Sequence, residues 1–144
     1  SVGHASNDEC DALGVSEAQR LAARRALDGL GVTPDRVLLD GSWDFVGGGR
    51  VTTVTGGDAT CLSIAAASGL AKVTRDRIMR DADSRFPGYG FADNKGYPSP
   101  RHVDALSQRG ACLFHRRSWS FMDGLPPVGE PRRDQAGVHP RLFP

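Results

Sequence analysis

Two aspartates in this sequence stand where α/β proteins do chemistry. Asp40 ends the apolar run Val37-Leu38-Leu39 and is followed by Gly41. A short buried strand there would carry the acid at its C-terminal tip, the place where open α/β sheets keep their sites. Asp58 follows Gly56 and Gly57, which permit a sharp turn out of the β-branched strand Val51–Thr55 and present the acid at the edge of the sheet. Carboxylates drawn from separate strands are what a cluster of hard divalent cations requires, and such a cluster hydrolyses phosphodiesters. Leu38-Leu39-Asp40-Gly41 also has a plainer reading, since Asp-Gly is an ordinary way to start a turn. Both readings stay open on type and spacing alone.

Behind Asp58 the chain reads as one helix, capped by Asp58 or Thr60, running through the alanines at 65–67 to about Phe86, where Pro87-Gly88 stops it. At roughly 100° per residue, Ser68, Lys72 and Arg75 fall within about 60° of one another. Leu62, Ala65, Ala66, Gly69 and Val73 share another side, small enough to lie close against a sheet. The cationic side has two readings: a solvated Lys72/Asp76 pair at i, i+4, or a surface that meets a substrate.

Other chemistries fail on spacing. There is no Gly-x-Ser-x-Gly, and Ser68 and Lys72 are one position too far apart for a Ser-x-x-Lys dyad. Gly47-Gly48-Gly49-Arg50 lacks the Gly-Lys-Ser/Thr ending of a phosphate loop and reads as a hairpin tip. His4, His102, His115 and His139 are scattered and read as surface residues, His115 excepted as a phosphate or packing contact. Cys10, Cys61 and Cys112 have no Cys-x-x-Cys spacing, which argues against a zinc site or disulfide framework and for a reducing, cytoplasmic compartment. A formal charge of +1 over 144 residues argues against wrapping of nucleic acid by bulk electrostatics, so any such binding needs a local patch. No apolar run reaches membrane-spanning length.

The elements that must position these groups follow from pattern. Ser1–Ala5 alternates like a strand, and Ser6 followed by acids starts a short helix that Gly14 closes. Ser16 caps a helix over Glu17–Leu30, with Gly31 as terminator, which should cover the sheet. Residues 42–50 form a loop between the two strands. Phe86–Ser99, dense in Gly, Pro and aromatic residues, is an ordered loop, because its rings need something to pack on. Ser99 caps a last helix over Pro100–Arg109 that buries Val103 and Leu106. Residues 123–144 offer no periodic apolar face and read as a disordered tail behind a domain at 1–122.

The run Ser63-Ile-Ala-Ala-Ala-Ser-Gly-Leu-Ala-Lys-Val-Thr-Arg-Asp76 resembles the signature helix of the ribonuclease HII family, which cuts the RNA strand of RNA–DNA hybrids. The order of strand, Asp-Gly, loop, strand and Gly-Asp before it, Lys95-Gly96-Tyr97 after it, and His115-Arg116-Arg117-Ser118-Trp119 near the end are also similar to the family. The resemblance covers Ser1 to about Phe121. Gly56, Gly57, Thr60, Gly69 and Pro98 depart from common family choices without removing a carboxylate.

The resemblance implies a ribonuclease H-like α/β fold, a mixed sheet flanked by helices. It further implies that Asp40 and Asp58 are catalytic metal ligands for Mn2+ or Mg2+, and that Tyr97 packs on the ribose at the RNA-to-DNA junction. Ser68, Lys72 and Arg75 would serve the nucleic-acid surface or hold the metal-site loops. The substrate would be an RNA–DNA hybrid or a DNA duplex with an embedded ribonucleotide, and the protein a monomer with no membrane partner. The family has four acids, the first two in an early Asp-Glu-x-Gly-Arg-Gly turn that these residues do not contain. Asp8-Glu9 lacks the Gly-Arg-Gly and does not take that role. The chain therefore reads as a C-terminal portion, its sheet incomplete at the N-terminus, and is expected to be inactive alone. The alternatives are a non-catalytic nucleic-acid-binding remnant of the same fold, or a structural remnant with no stable fold of its own.

Overall fold

The computed structural model describes residues 1–125. It is a mixed α/β structure that divides into two compact units, one over residues 1–74 and one from Arg75 onward.

In the first unit Ser1–Ala5 forms no strand; Gly3 instead lies against the backbone of Ala22 and Ala26, where a side chain would collide. Alternation indicates which residues share a side, but a strand also needs a neighbour to hydrogen-bond, and here a helix occupies that place. Ser6 caps helix α1 (Asn7–Leu13) through a capping box, its Oγ accepting from Glu9 N while Glu9 Oε2 accepts from Ser6 N. Gly14, at φ 78°, both closes α1 and opens α2 (Val15–Asp28). One left-handed residue thus serves both helix ends, so α2 starts at Val15, earlier than a Ser16 cap would allow, and stops at Gly29. Helices α1 and α2 pack together, joined by Arg25, which donates to both carboxylate oxygens of Glu9 (2.7 and 2.6 Å) and to His4 O.

Strand β1 (Val37–Asp40) pairs with β2 (Val51–Val54) in parallel, with Val37 opposite Val51 and Asp40 opposite Val54. Among the described residues the sheet has these two strands alone, so the mixed sheet is not formed here. Parallel pairing also means that residues 41–50 cross over rather than turn a hairpin, and Gly47, Gly48 and Gly49 all take positive φ within that crossover. Asp44 Oδ1 organises it by accepting from Val46 N and Gly47 N. With one partner strand, β1 alternates half-buried and exposed residues instead of being buried throughout.

After β2, Gly56 (φ 66°, ψ 33°) starts the single turn α3 (Gly57–Thr60), and Cys61 breaks it with extended φ and ψ before α4 (Leu62–Arg85). The break places Cys61, not Asp58 or Thr60, at the head of α4, with its carbonyl accepting Ala65 N and its thiol 3.2 Å from Ser63 Oγ. Ile64 is the buried residue near this end; Leu62 is 86% and Leu70 62% exposed, and Ala66, Gly69 and Val73 are exposed with them. The small apolar side of α4 is therefore real as a stripe but does not lie on a sheet here.

The second unit is built on an aromatic core. Met79, Ala82, Tyr89, Phe91, Ala105, Leu106 and Ala111 are buried together, with Phe86, Phe114 and Cys112 packed on them. Helix α5 (Phe91–Asn94) is a single turn within the Gly- and Pro-rich segment, so that loop is ordered as its aromatics require. Ser99 caps α6 (Pro100–Arg109) by accepting from His102 N, with Pro100 in the first turn. The face of α6 that packs is His102, Ala105 and Leu106; Val103 is 41% exposed. A 3-10 turn over Ser120–Met122 ends the described chain, and residues 126–144 of the tail region lie outside the described residues.

Candidate functional site

Asp40 is tied through backbone to the turn that carries Asp58. Asp40 Oδ1 accepts the Gly57 amide hydrogen at 2.8 Å, so the acid at the tip of β1 grips the turn whose next residue is Asp58. The same join is continued by Gly41 N, which donates to Val54 O across the strand ends. Gly57 has to be glycine for a reason other than its dihedral angles. It is buried, and a Cβ there would lie 2.5 Å from Ile64 Cδ1, 3.3 Å from Val54 Cβ and 3.4 Å from Asp40 Oδ1. Thr60 Oγ1 donates back to Gly56 O and tightens the turn from the other side. Asp40 and Asp58 are both exposed, as groups that meet a ligand must be.

Carboxylate oxygens are the donors that hard divalent cations take. These two residues fit that chemistry, and Asp40 keeps Oδ2 outside the Gly57 hydrogen bond. They fit it incompletely: among the described residues no group of three or more His, Cys, Asp or Glu gathers that could hold a metal.

Cys61, beside this turn, has its thiol pKa lowered, first by the Ser63 hydroxyl and then by the Ile64 amide. Cys112 is the opposite case, pushed up to about 11 by burial.

Ser68 and Lys72 lie on α4, Ser68 half-buried and Lys72 exposed. Asp76 takes its neighbour Arg75 as partner, its Oδ1 accepting from Arg75 Nε (3.0 Å) and Nη2 (2.8 Å), so the Lys72/Asp76 pair is not the one made. Arg75 also places its guanidinium carbon 6.0 Å from the ring centroid of Tyr97. Tyr97 is 62% exposed, an aromatic face open to a ligand.

His102 departs from a surface reading, whereas His115 is the packing contact it could be; His139 lies outside the described residues. His102 is 2% exposed, and its Nδ1 meets Tyr89 O at 2.9 Å; His115 is also buried, with Nδ1 accepting Cys112 N at 3.0 Å. Their rings stack at 5.2 Å amid Tyr89 and Phe91. Burial, helped by His102, holds the His115 pKa down at about 4, which favours the neutral ring that accepts Cys112 N. Both rings are part of the buried packing around Tyr89 and Phe91. Asn94 was equally silent in the sequence, yet its side chain ties the Tyr97 segment to Tyr89; the Asn-x-Gly turn chemistry of Asn94-Lys95-Gly96 was the available signal.

Comparison with known proteins matches the family model described as Ribonuclease HII over residues 1–122. Relatives bearing that name include proteins of Streptomyces coelicolor, 52% identical over 88% of this chain and 54% of the relative, and of Myxococcus xanthus, 43% identical over 97% and 49%. A relative from Paracoccus denitrificans is 49% identical over 83% of this chain and 58% of its own length. The chain spans about half the length of the curated relatives it matches.

Proposed function

Since the chain belongs to the ribonuclease HII family, we propose that it carries part of the active site of a metal-dependent endonuclease that hydrolyses the RNA strand of RNA–DNA hybrids, including ribonucleotides embedded in duplex DNA. The observation that supports this reading is the hydrogen bond from Gly57 N to Asp40 Oδ1, which ties the acid at the tip of β1 to the turn that carries Asp58. The fold it implies for the whole protein is ribonuclease H-like, of which the β1–β2 pair and α4 are a part.

In this reading Asp40 and Asp58 each contribute carboxylate oxygen to a divalent cation, Mn2+ or Mg2+. Such a cation, when bound, polarises a phosphoryl oxygen and lowers the pKa of a bound water. The work of this chain's own residues is positional. Gly57 and Asp40 hold the acids still, so no reorganisation is required when the substrate arrives. Lys72 and Arg75 attract backbone phosphates, and Ser68 offers a hydroxyl on the same helix. Tyr97 lays its ring against the ribose whose 2′-hydroxyl distinguishes RNA from DNA. No helix among the described residues is long and apolar enough to cross a membrane.

Two aspartates supply a charge of about minus two against about plus four for a pair of divalent cations. Residues 1–144 by themselves are therefore proposed to bind duplex weakly and not to cut. The test offers a duplex with one embedded ribonucleotide to the 144-residue chain and to the full-length protein that carries it, each with Mn2+ or Mg2+. Cleavage by the full-length protein alone supports the reading. Robust cleavage by the 144 residues, abolished by Asp58→Asn, would mean that further ligands lie within this chain.

A further inference from the structure

Lys95 is the single non-glycine residue at positive φ among the described residues (φ 54°, ψ 26°), and it stands between Asn94 and Gly96, two residues before Tyr97. With Gly96 at φ 84° and Tyr97 N donating to Asn94 O at 2.9 Å, residues 94–97 form a turn of the I′ type, left-handed at both central positions. Asn and Gly enter that region readily; lysine does so against the contact of its Cβ with the following carbonyl. A lysine persists there only where its surroundings over-determine the turn, and such backbone is concentrated at ligand clamps and active sites.

The over-determination converges on Asn94. Its Nδ2 donates to Tyr89 O (2.7 Å), its Oδ1 accepts Gly96 N (2.8 Å), and its carbonyl accepts Tyr97 N. Tyr89 O is itself met by the ring of buried His102. Lys95 adds its own bonds, the amide to Phe91 O (3.1 Å) and Nζ to Ala92 O. Tyr97 O then accepts Ser99 N (2.7 Å), which ties the far side of the tyrosine to the cap of α6. The exposed ring of Tyr97 is thus carried by a turn whose side-chain tie to the buried Tyr89 carbonyl is the Asn94 amide, with backbone bonds to Phe91 and Ser99 on either side.

We propose that Asn94, through the left-handed turn at Lys95, is the positioning residue that fixes where the Tyr97 ring stands, and so sets discrimination at the ribose. This rests on the reading of Tyr97 given above. A flexible turn would let the ring swing by an ångström or more, enough to lose contact with a single sugar while leaving phosphate contacts elsewhere intact.

The experiment uses the full-length protein that carries these residues. It reads the rate of cleavage at a lone ribonucleotide, the affinity for an all-DNA duplex, and the melting temperature. Tyr97→Ala tests the ribose reading itself. Asn94→Ala and Asn94→Asp remove the bond to Tyr89 O, and Lys95→Val disfavours the left-handed turn without touching Asn94. Lys95→Gly keeps that turn without steric cost. The expected result is a loss of about tenfold to a hundredfold in lone-ribonucleotide cleavage for the Asn94 variants and Lys95→Val. Duplex affinity should hold within about twofold, and Lys95→Gly, which keeps the turn but gives up the Nζ bond to Ala92 O, should lose less lone-ribonucleotide cleavage than Lys95→Val. If Tyr97→Ala loses discrimination while Asn94→Asp and Lys95→Val keep it, positioning by Asn94 is overturned and the ribose reading stands. If Tyr97→Ala itself keeps discrimination, both fall. Equal losses on cleavage and duplex affinity in the Asn94 variants and in Lys95→Val would assign the turn to the fold and overturn the proposal.

Discussion

Asp40 Oδ1 and the amide of Gly57, 17 residues apart in sequence, are joined by a 2.8 Å hydrogen bond that ties the tip of one strand to the turn after the next. A carboxylate engaged in this way is oriented before any ligand binds. The geometry accounts for an acid, a glycine pair and a second acid standing in this order in the chain: the first acid takes a backbone donor, and the donor is a residue without a side chain.

Gly57→Ala should therefore damage the site more than its small size suggests. The added methyl meets Ile64 Cδ1, Val54 Cβ and Asp40 Oδ1 at 2.5, 3.3 and 3.4 Å, and the Ile64 methyl can rotate away while the strand cannot. A destabilisation of about 1–3 kcal/mol is expected, read by urea denaturation, with cleavage falling further than stability accounts for. Gly56→Ala, at φ 66°, is expected to cost about 1 kcal/mol through backbone strain alone. Equal effects of the two on cleavage would remove the special role given to Gly57.

Lys72 and Arg75 should separate by salt dependence. Lys72 is exposed and, as a phosphate contact, should flatten the slope of log affinity against log salt by about one unit when changed to Ala. Arg75 is already paired with Asp76 and set against Tyr97, so Arg75→Lys should weaken lone-ribonucleotide cleavage through loss of the planar fork. Its salt slope should move less than that of Lys72→Ala. An unchanged slope for Lys72→Ala would make that lysine structural.

Two pH windows should be resolvable in the stability of the chain. The His115 pKa is lowered from 6.5 to about 4, chiefly by burial. The unfolded state binds the proton first, so the stability it contributes is whole above about pH 6.5 and is lost as pH falls toward 4. The Glu9 pKa is lowered from 4.5 to about 2, first by its hydrogen bond with Arg25. That contribution is present above about 4.5 and is lost as pH falls to 2. Denaturation of the parent and of His115→Gln between pH 7 and 4.5 checks the first window; parallel curves would contradict it.

Local chemistry was the legible part of this fold. Ser6 with Glu9 and Ser99 with Pro100 carry their caps within three residues, and both helices start where those residues indicate. The order Asp40, Gly57, Asp58 was legible because turns and strand tips are written in residue type. What required a partner was not legible. The stripe Leu62, Ala66, Gly69 and Val73 is a true helical side, but spacing cannot say what covers it. Ser1–Ala5 alternates like a strand yet rests on α2. Residues 47–49 look like a hairpin tip until the parallel register of β1 and β2 is known. His102 and Asn94 gave no periodic signal because their partners are the carbonyl of Tyr89 and the turn at Lys95, features of backbone rather than of side-chain pattern.

In the proposed function Asp40 and Asp58 act together on a divalent cation. The most direct test is Mn2+ binding and hybrid cleavage by the full-length protein and its Asp40→Asn, Asp58→Asn and doubly substituted variants. Each single change should weaken Mn2+ binding and slow cleavage by about a hundredfold or more, and the double variant should be little worse than either, as residues that work as a unit behave. An Asp58→Asn protein that binds Mn2+ and cleaves as fast as the parent would contradict that joint action.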